Sequence, residues 1–246
     1  MGKTLDLKIL PQPTETTCGP TCLHALYRYF GDRISLSRLI NEIPILEGGG
    51  TLAVMLGNHA LDRGYSATIF TYNLHIFDPT WFLNPGSNLI HYLREQKKAK
   101  RNRKLHIASD HYIEFIEKGG TIAFEDLTPS LLKSFITQNK PILTGLSATY
   151  LYRSAREIGA TNEYNSTDGE PSGHFAVIAG YDSNLKSLLV ADPFHLNPFA
   201  GSHYYWVDVQ RVISSILLGI VTYDANLLVI EPDSGRSRGK RKVQAT

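Results

Sequence analysis

The sequence predicts an α+β fold, on three observations. Helical periodicity dominates the first part of the chain, and β-type runs dominate after residue 121. A candidate nucleophile, Cys18, sits on the first helix, while its candidate base, His174, opens a late strand. A helical N-terminal part carrying the thiol, packed on a C-terminal antiparallel sheet, brings the two together across a cleft.

In the first helix Leu23, Leu26, Tyr27 and Phe30 recur at helical spacing, and Gly31 supplies the stop. Pro20 is expected at the first helical position, where its missing N–H is no loss. Ser35 or Ser37 opens a second helix with Leu36, Leu39, Ile40 and Ile43, ended by Pro44. Glycines 48–50 link it to a third helix through Met55, Leu56 and Leu61, with Thr51 as its expected N-cap and Gly64 as its close. Residues 65–72 read as a strand. In 73–120, Ser87 is expected to cap a helix carrying Leu89, Ile90 and Leu93 that runs into a basic stretch at 97–104. A further helix is expected over 108–118. The 73–120 segment is read as an insertion or a lid beside the cleft.

Thr128-Pro129 then starts a helix through Leu132, Phe135 and Ile136, and residues 142–146 form a buried strand. Residues 175–181 and 188–191 form a hairpin around the turn formers Asp182, Ser183 and Asn184. Strands are expected at 204–207, 221–223 and 227–230, with a helix over 208–217. The result is one domain, 1–232, followed by a disordered basic tail, 233–246.

The 246 residues are 42% hydrophobic and 20% charged with a net charge of +2, which is ordinary for a soluble protein and gives no argument for nucleic acid. Two cysteines cannot build a disulfide framework, and they fit a reducing, cytoplasmic compartment. Residues 1–10 have no apolar core of useful length for a signal peptide. The longest apolar stretch, 212–221, is too short for a bilayer and holds two serines, so no integral membrane segment is expected.

Chemistry concentrates in the run PQPTETTCGPTC, residues 11–22. A thiol is a weak nucleophile until its surroundings make it a thiolate. Cys18 falls on or just before the first helical turn, where free N–H groups and the helix dipole favour the anion. Its own N–H faces a developing oxyanion, and the Gln12 amide is the second donor. The base is His174. If Tyr181 lies opposite Ser187, then Asp192 lies opposite Ala176, diagonal to His174 and on its face; a slip of one residue sends the carboxylate to the other side.

The competing readings are plainer. A free cysteine is most often a buried apolar thiol, and that is the reading for Cys22, one turn along. CGPTC has one residue too many for a redox pair, and no second Cys/His pair gives metal spacing, so neither cofactor nor metal is expected. Asp182 is read as a turn residue, the 97–104 run as a solvated helix face, and Tyr204, Tyr205 and Trp206 as sheet core or cleft wall.

A Gln six residues before Cys18-Gly19-Pro20, a late Gly173-His174 leading an apolar strand to Gly180-Tyr181-Asp182, and then Asp192-Pro193, resemble the bacteriocin-processing (double-glycine leader) peptidase family. That family belongs to the papain-like cysteine peptidases. The resemblance covers roughly residues 8–31 and 140–195, and is to the stand-alone relatives. It implies a papain-like fold with Gln12 in the oxyanion hole, Cys18 as nucleophile, His174 as base and Asp192 as orienting acid. The implied substrate is a peptide or protein, cleaved through a thioester. Two alternatives stay open: acyl transfer from the same thioester, as in transglutaminase-like or phytochelatin-synthase-like enzymes, and a peptide-binding module without turnover. The oligomeric state is not fixed by sequence.

Overall fold

The computed structural model describes residues 2–233 apart from 48, 85, 160, 162 and 200. Its N-terminal half holds β1 (Gly2–Thr4), α1 (Cys18–Tyr29), α2 (Leu36–Glu42), α3 (Ala53–Asp62), β2 (Tyr65–Thr71), α4 (Leu89–Ala99), α5 (Arg103–Glu117) and β3 (Thr121–Ala123). There follow α6 (Pro129–Thr137), β4 (Ile142–Ser147), α7 (Ala148–Tyr152), the short ribbon β5 (Glu157–Ile158) and β6 (Glu163–Tyr164), and β7 (Gly173–Asp182). The chain closes through β8 (Ser187–Ala191), β9 (Tyr204–Asp208), α8 (Val209–Leu218) and β10 (Asn226–Pro232).

One sheet runs in the order β3-β2-β10-β4-β7-β8-β9, and β1 also pairs with β7. Its pairings are antiparallel except β2 with β3, which is parallel. The class is α+β; the strand expected at 65–72 is β2 and the helices expected after Thr128 and over 208–217 are α6 and α8, while β1 and α7 are additions to the expectation.

Strand periodicity divides β7 between two cores. Phe175, Val177 and Ala179 face Cys22, Leu23, Leu26, Leu56 and Phe115 of the N-terminal helices. Ala176 and Ile178 face Leu132, Leu151, Val212 and Ile216 of α6 to α8. Each fully buried Leu or Phe of this kind stabilises the fold by roughly 1.5–3 kcal/mol.

The hairpin register differs from the expectation at the turn and agrees with it near the site. Tyr181 pairs with Leu188, not Ser187, and Asp182 pairs with Ser187. An irregularity between Ile178 and Gly180 then shifts the count, so that Val177 pairs with Ala191. A β-bulge inserts one unpaired residue into one strand. Here it restores the register that sets Asp192 on the His174 face.

Several local signals act one or two residues from where they are expected. Helix α1 begins at Cys18, so Pro20 is its third residue; the N–H it lacks is still one of the four that have no partner inside the helix. Thr51 does not cap α3, whose N-cap is Leu52; the Thr51 hydroxyl donates to Met55 Sδ at 3.3 Å. Asn88 caps α4 in place of Ser87, and its Oδ1 accepts from His91 N–H at 3.0 Å. The basic run does not continue the helix: Asn102 caps a fresh one, α5, which starts five residues earlier than the expected 108. Residues 219–222 form a 3-10 turn where a strand was expected. The 73–120 segment buries Phe77, Leu93, Leu105, Tyr112 and Phe115 in the α1-side core. From residue 234 onward the expected tail lies outside the described residues.

Candidate active site

The site forms where the N-terminal end of α1 meets the first residues of β7. Cys18 is the first residue of α1, and its backbone N–H has no partner among the described residues. The loop before it is braced: Thr17 Oγ1 accepts from Thr14 N–H at 3.0 Å and donates to Thr14 O at 2.8 Å. Gln12 begins that loop. Its backbone N–H donates to Pro193 O at 2.9 Å, which ties the Cys18 loop to the residue after Asp192. Its side-chain Nε2 donates to Thr14 O at 3.1 Å, and its Oε1 is buried without a partner among the described residues. An amide nitrogen has two hydrogens, so one N–H remains available.

His174 pairs with Leu146 across β4 and is buried, 7% exposed. Its Nε2 donates to Asp192 Oδ1 at 2.8 Å. The ring's other nitrogen is left for the cleft, which Cys18 also lines. Burial alone disfavours the imidazolium, but the Asp192 charge and hydrogen bond, with the Cys18 contact, overcome it and raise the His174 pKa to about 10.

Asp192 is fully buried. Oδ1 also accepts from Phe194 N–H at 2.8 Å. Oδ2 accepts the hydroxyl of Tyr152 at 2.7 Å and, more closely, that of Tyr205. Burial pushes the carboxyl pKa up, yet the His174 cation and these donors hold it below its ordinary value. Both phenols are raised, chiefly by burial and then by the Asp192 charge, and stay protonated as donors.

The cleft has a volume of about 240 Å³, and Cys18, His174, Gly49, Gly50, Lys104 and Asp224 are among the residues lining it. Gly49 and Gly50 hold φ of 84° and 74°, a backbone that suits glycine. Cys22 lies in the core, its thiol donating to Phe175 O at 3.2 Å, and burial pushes its pKa well up. Asp182 accepts from Asn184 and Leu185 N–H and so shapes the turn.

The chain thus brings Cys18 and His174 to one cleft, with Asp192 hydrogen-bonded to His174 and Gln12 on the loop before Cys18. Sequence reasoning missed Tyr152, Lys104 and Asp224. Tyr205 was read only as core or wall, although its alternation with Val207 does mark it as inward-facing. Tyr152 sits on the five-residue α7 with no pattern of its own.

Among the described residues no group of three or more His, Cys, Asp or Glu is placed to hold a metal ion, and no helix is long and apolar enough to cross a membrane. No curated protein matches the chain. Among solved structures it is similar to a double-glycine motif protease from an AMS/PCAT transporter, in complex with the leader peptide, at 11% identity and TM-score 0.46, covering 94% of each chain. It is also similar to a C39-like peptidase from Bacillus anthracis, at 15% identity and TM-score 0.47, covering 94% of this chain and 98% of that one. A third similarity is to the peptidase domain of Streptococcus ComA, at 13% identity and TM-score 0.44, covering 92% and 98%. The family described as Peptidase_C39 like family matches residues 4–215, most of the chain. The protein therefore belongs to the Peptidase_C39-like family and is a cysteine peptidase-like hydrolase.

Proposed function

We propose that this protein cleaves a peptide or protein with Cys18 as nucleophile, His174 as base and acid, and Asp192 as the orienting acid, within a single domain over residues 1–232. The observation that carries the reading is the buried His174 ring, held by Asp192 at 2.8 Å in the same cleft that Cys18 lines. Asp192 fixes which ring nitrogen faces the sulfur, as the third member of a triad must.

The sequence of events follows from that geometry. His174 takes the Cys18 proton, giving a thiolate–imidazolium pair. The thiolate attacks the amide carbonyl. The Cys18 N–H, which has no other partner among the described residues, and the second N–H of the Gln12 amide hold the oxyanion. His174 then protonates the leaving amine, and a water deprotonated by His174 releases the acid from the thioester. A reducing, cytoplasmic compartment keeps the thiol available for this cycle.

The test is intact-mass detection of an adduct with a broad cysteine-protease inhibitor, with the modified residue mapped, alongside turnover of a peptide mixture. One adduct at Cys18, with turnover lost in Cys18→Ala, is expected. Full turnover by Cys18→Ala overturns the reading. Adding candidate amines to the same assay separates hydrolysis from acyl transfer, since transfer yields a ligated product.

A further inference from the structure

Asp224 lies in the same cleft, outside the matched residues 4–215, and the steps above do not use it. It is a carboxylate 6% exposed. Oδ2 accepts one hydrogen bond, from Thr222 Oγ1 at 2.9 Å. Among the described residues Oδ1 accepts no hydrogen bond and no ion pair reaches the group.

Its position is built at a cost in backbone conformation. The residues on either side, Tyr223 and Ala225, have φ of 72° and 63°, a left-handed backbone that non-glycine residues rarely adopt. Such conformations persist only where the surroundings over-determine them, and they gather at functional sites. Two glycines make the room. A Cβ at Gly145 would stand 2.8 Å from Asp224 Oδ1, and one at Gly173 would stand 2.6 Å from Oδ2. Gly173 directly precedes His174 in β7, so the carboxylate sits one residue from the base.

We propose that Asp224 is a specificity-determining residue of this cleft: its open carboxylate oxygen receives a cationic nitrogen of the substrate, an ammonium or guanidinium, beside the bond that Cys18 attacks. The inference rests on the Cys18 reading above. A buried carboxylate with an unused acceptor is costly unless a donor or an opposite charge completes it. The lysine that lines the cleft does not do so. Lys104 Nζ donates to Thr222 O at 3.3 Å and lies 4.4 Å from the centre of the Tyr223 ring. Burial pushes the Asp224 carboxyl up to about 7, against the pull of Thr222, Lys104 and His174, and a cation bound beside it favours the ionised form. The cation has two sources, a Lys or Arg side chain or a free α-amine, and both present N–H donors of the same charge.

The test uses peptidyl chloromethyl ketones, which alkylate Cys18 by forming a thioether and releasing chloride. Reagents are matched in pairs: lysine against norleucine with the N-terminus acetylated, and free against acetylated N-terminus with norleucine. The readout is the ratio of alkylation rates within each protein, which cancels any change in the thiol itself. Wild type is expected to favour one cationic reagent about tenfold. Asp224→Asn brings that ratio near one. Lys104→Met, on an exposed residue, raises it. The pair that responds identifies the source of the cation. A ratio near one for both pairs in wild type overturns the proposal, as does a ratio that Asp224→Asn leaves intact. If no reagent labels Cys18, the nucleophile reading fails instead. The charge preference is then read as equilibrium binding of the same peptides, as amides, to Cys18→Ala, where equal affinity for the charged and neutral peptides overturns it.

Discussion

Tyr152 and Tyr205 deliver their hydroxyls to the same atom, Asp192 Oδ2, from a helix on one side and a strand on the other. With Phe194 N–H and His174 on Oδ1, every direction from which this buried carboxylate needs a donor is filled. The two phenols keep it anionic, and the anion keeps the imidazole charged.

Removing either phenol hydroxyl should weaken that chain. A hydrogen bond to a charged group is worth about 1.5–3 kcal/mol, so Tyr152→Phe and Tyr205→Phe should each lower kcat/KM by about tenfold or more. The acid limb of the pH profile should also move up, because a carboxylate with fewer donors binds its proton more readily. A pH–rate series on the two variants checks both effects, and unchanged limbs would contradict the role.

The ionisation of the His174–Asp192 pair makes stability depend on pH. The imidazole is raised from its ordinary 6.5 to about 10, so its contribution is complete below pH 6.5 and fades as pH rises through about 10. Asp192 is lowered from 3.8, so its contribution is present above that value and lost as pH falls below it. Urea midpoints of the wild type should therefore fall between pH 7 and 10 more steeply than those of Asp192→Asn. Parallel curves for the two proteins would contradict this.

Gln12→Ala removes one proposed oxyanion donor, which typically costs about 10²–10³ in rate. The loss should fall on kcat with KM little changed, since the interaction is made mainly in the transition state. Steady-state kinetics on any cleaved peptide separate the two. Gln12 Oε1 has no partner among the described residues, so truncation gives up only the Nε2 bond to Thr14 O and should cost little stability.

The two thiols should differ sharply in reactivity. Cys22 is fully buried, raised by burial and committed to Phe175 O, whereas Cys18 borders the cleft. Iodoacetamide at neutral pH should label Cys18 alone in the native protein and both residues in denaturant, as peptide mapping would reveal.

The parts of this fold legible in sequence were those with local chemistry. Thr128-Pro129 caps α6 as expected, with Thr128 Oγ1 accepting from Leu131 N–H at 3.2 Å, and Gly31 ends α1 at φ 77°. The Cys18, His174 and Asp192 readings rested on a helix start and a hairpin, both short-range patterns. What escaped was set by tertiary contact. Tyr152 reaches Asp192 only because α7 folds directly off β4, and Asp224 enters the cleft only because Gly145 and Gly173 leave it space. The bulge near Ala179 shows the limit from the other direction: a wrong turn register and an unforeseen irregularity cancelled at the site.

The Cys18 sulfur and the His174 ring proposed to activate it are separated by more than one hundred and fifty positions along the chain. During synthesis from the ribosome the thiol emerges early, and β7 follows only after about two-thirds of the polypeptide is made. A nascent or truncated product ending before β7 carries the cysteine without its partner. On the proposed mechanism, reactivity is timed to the arrival of β7, and unfinished chains are spared an activated nucleophile.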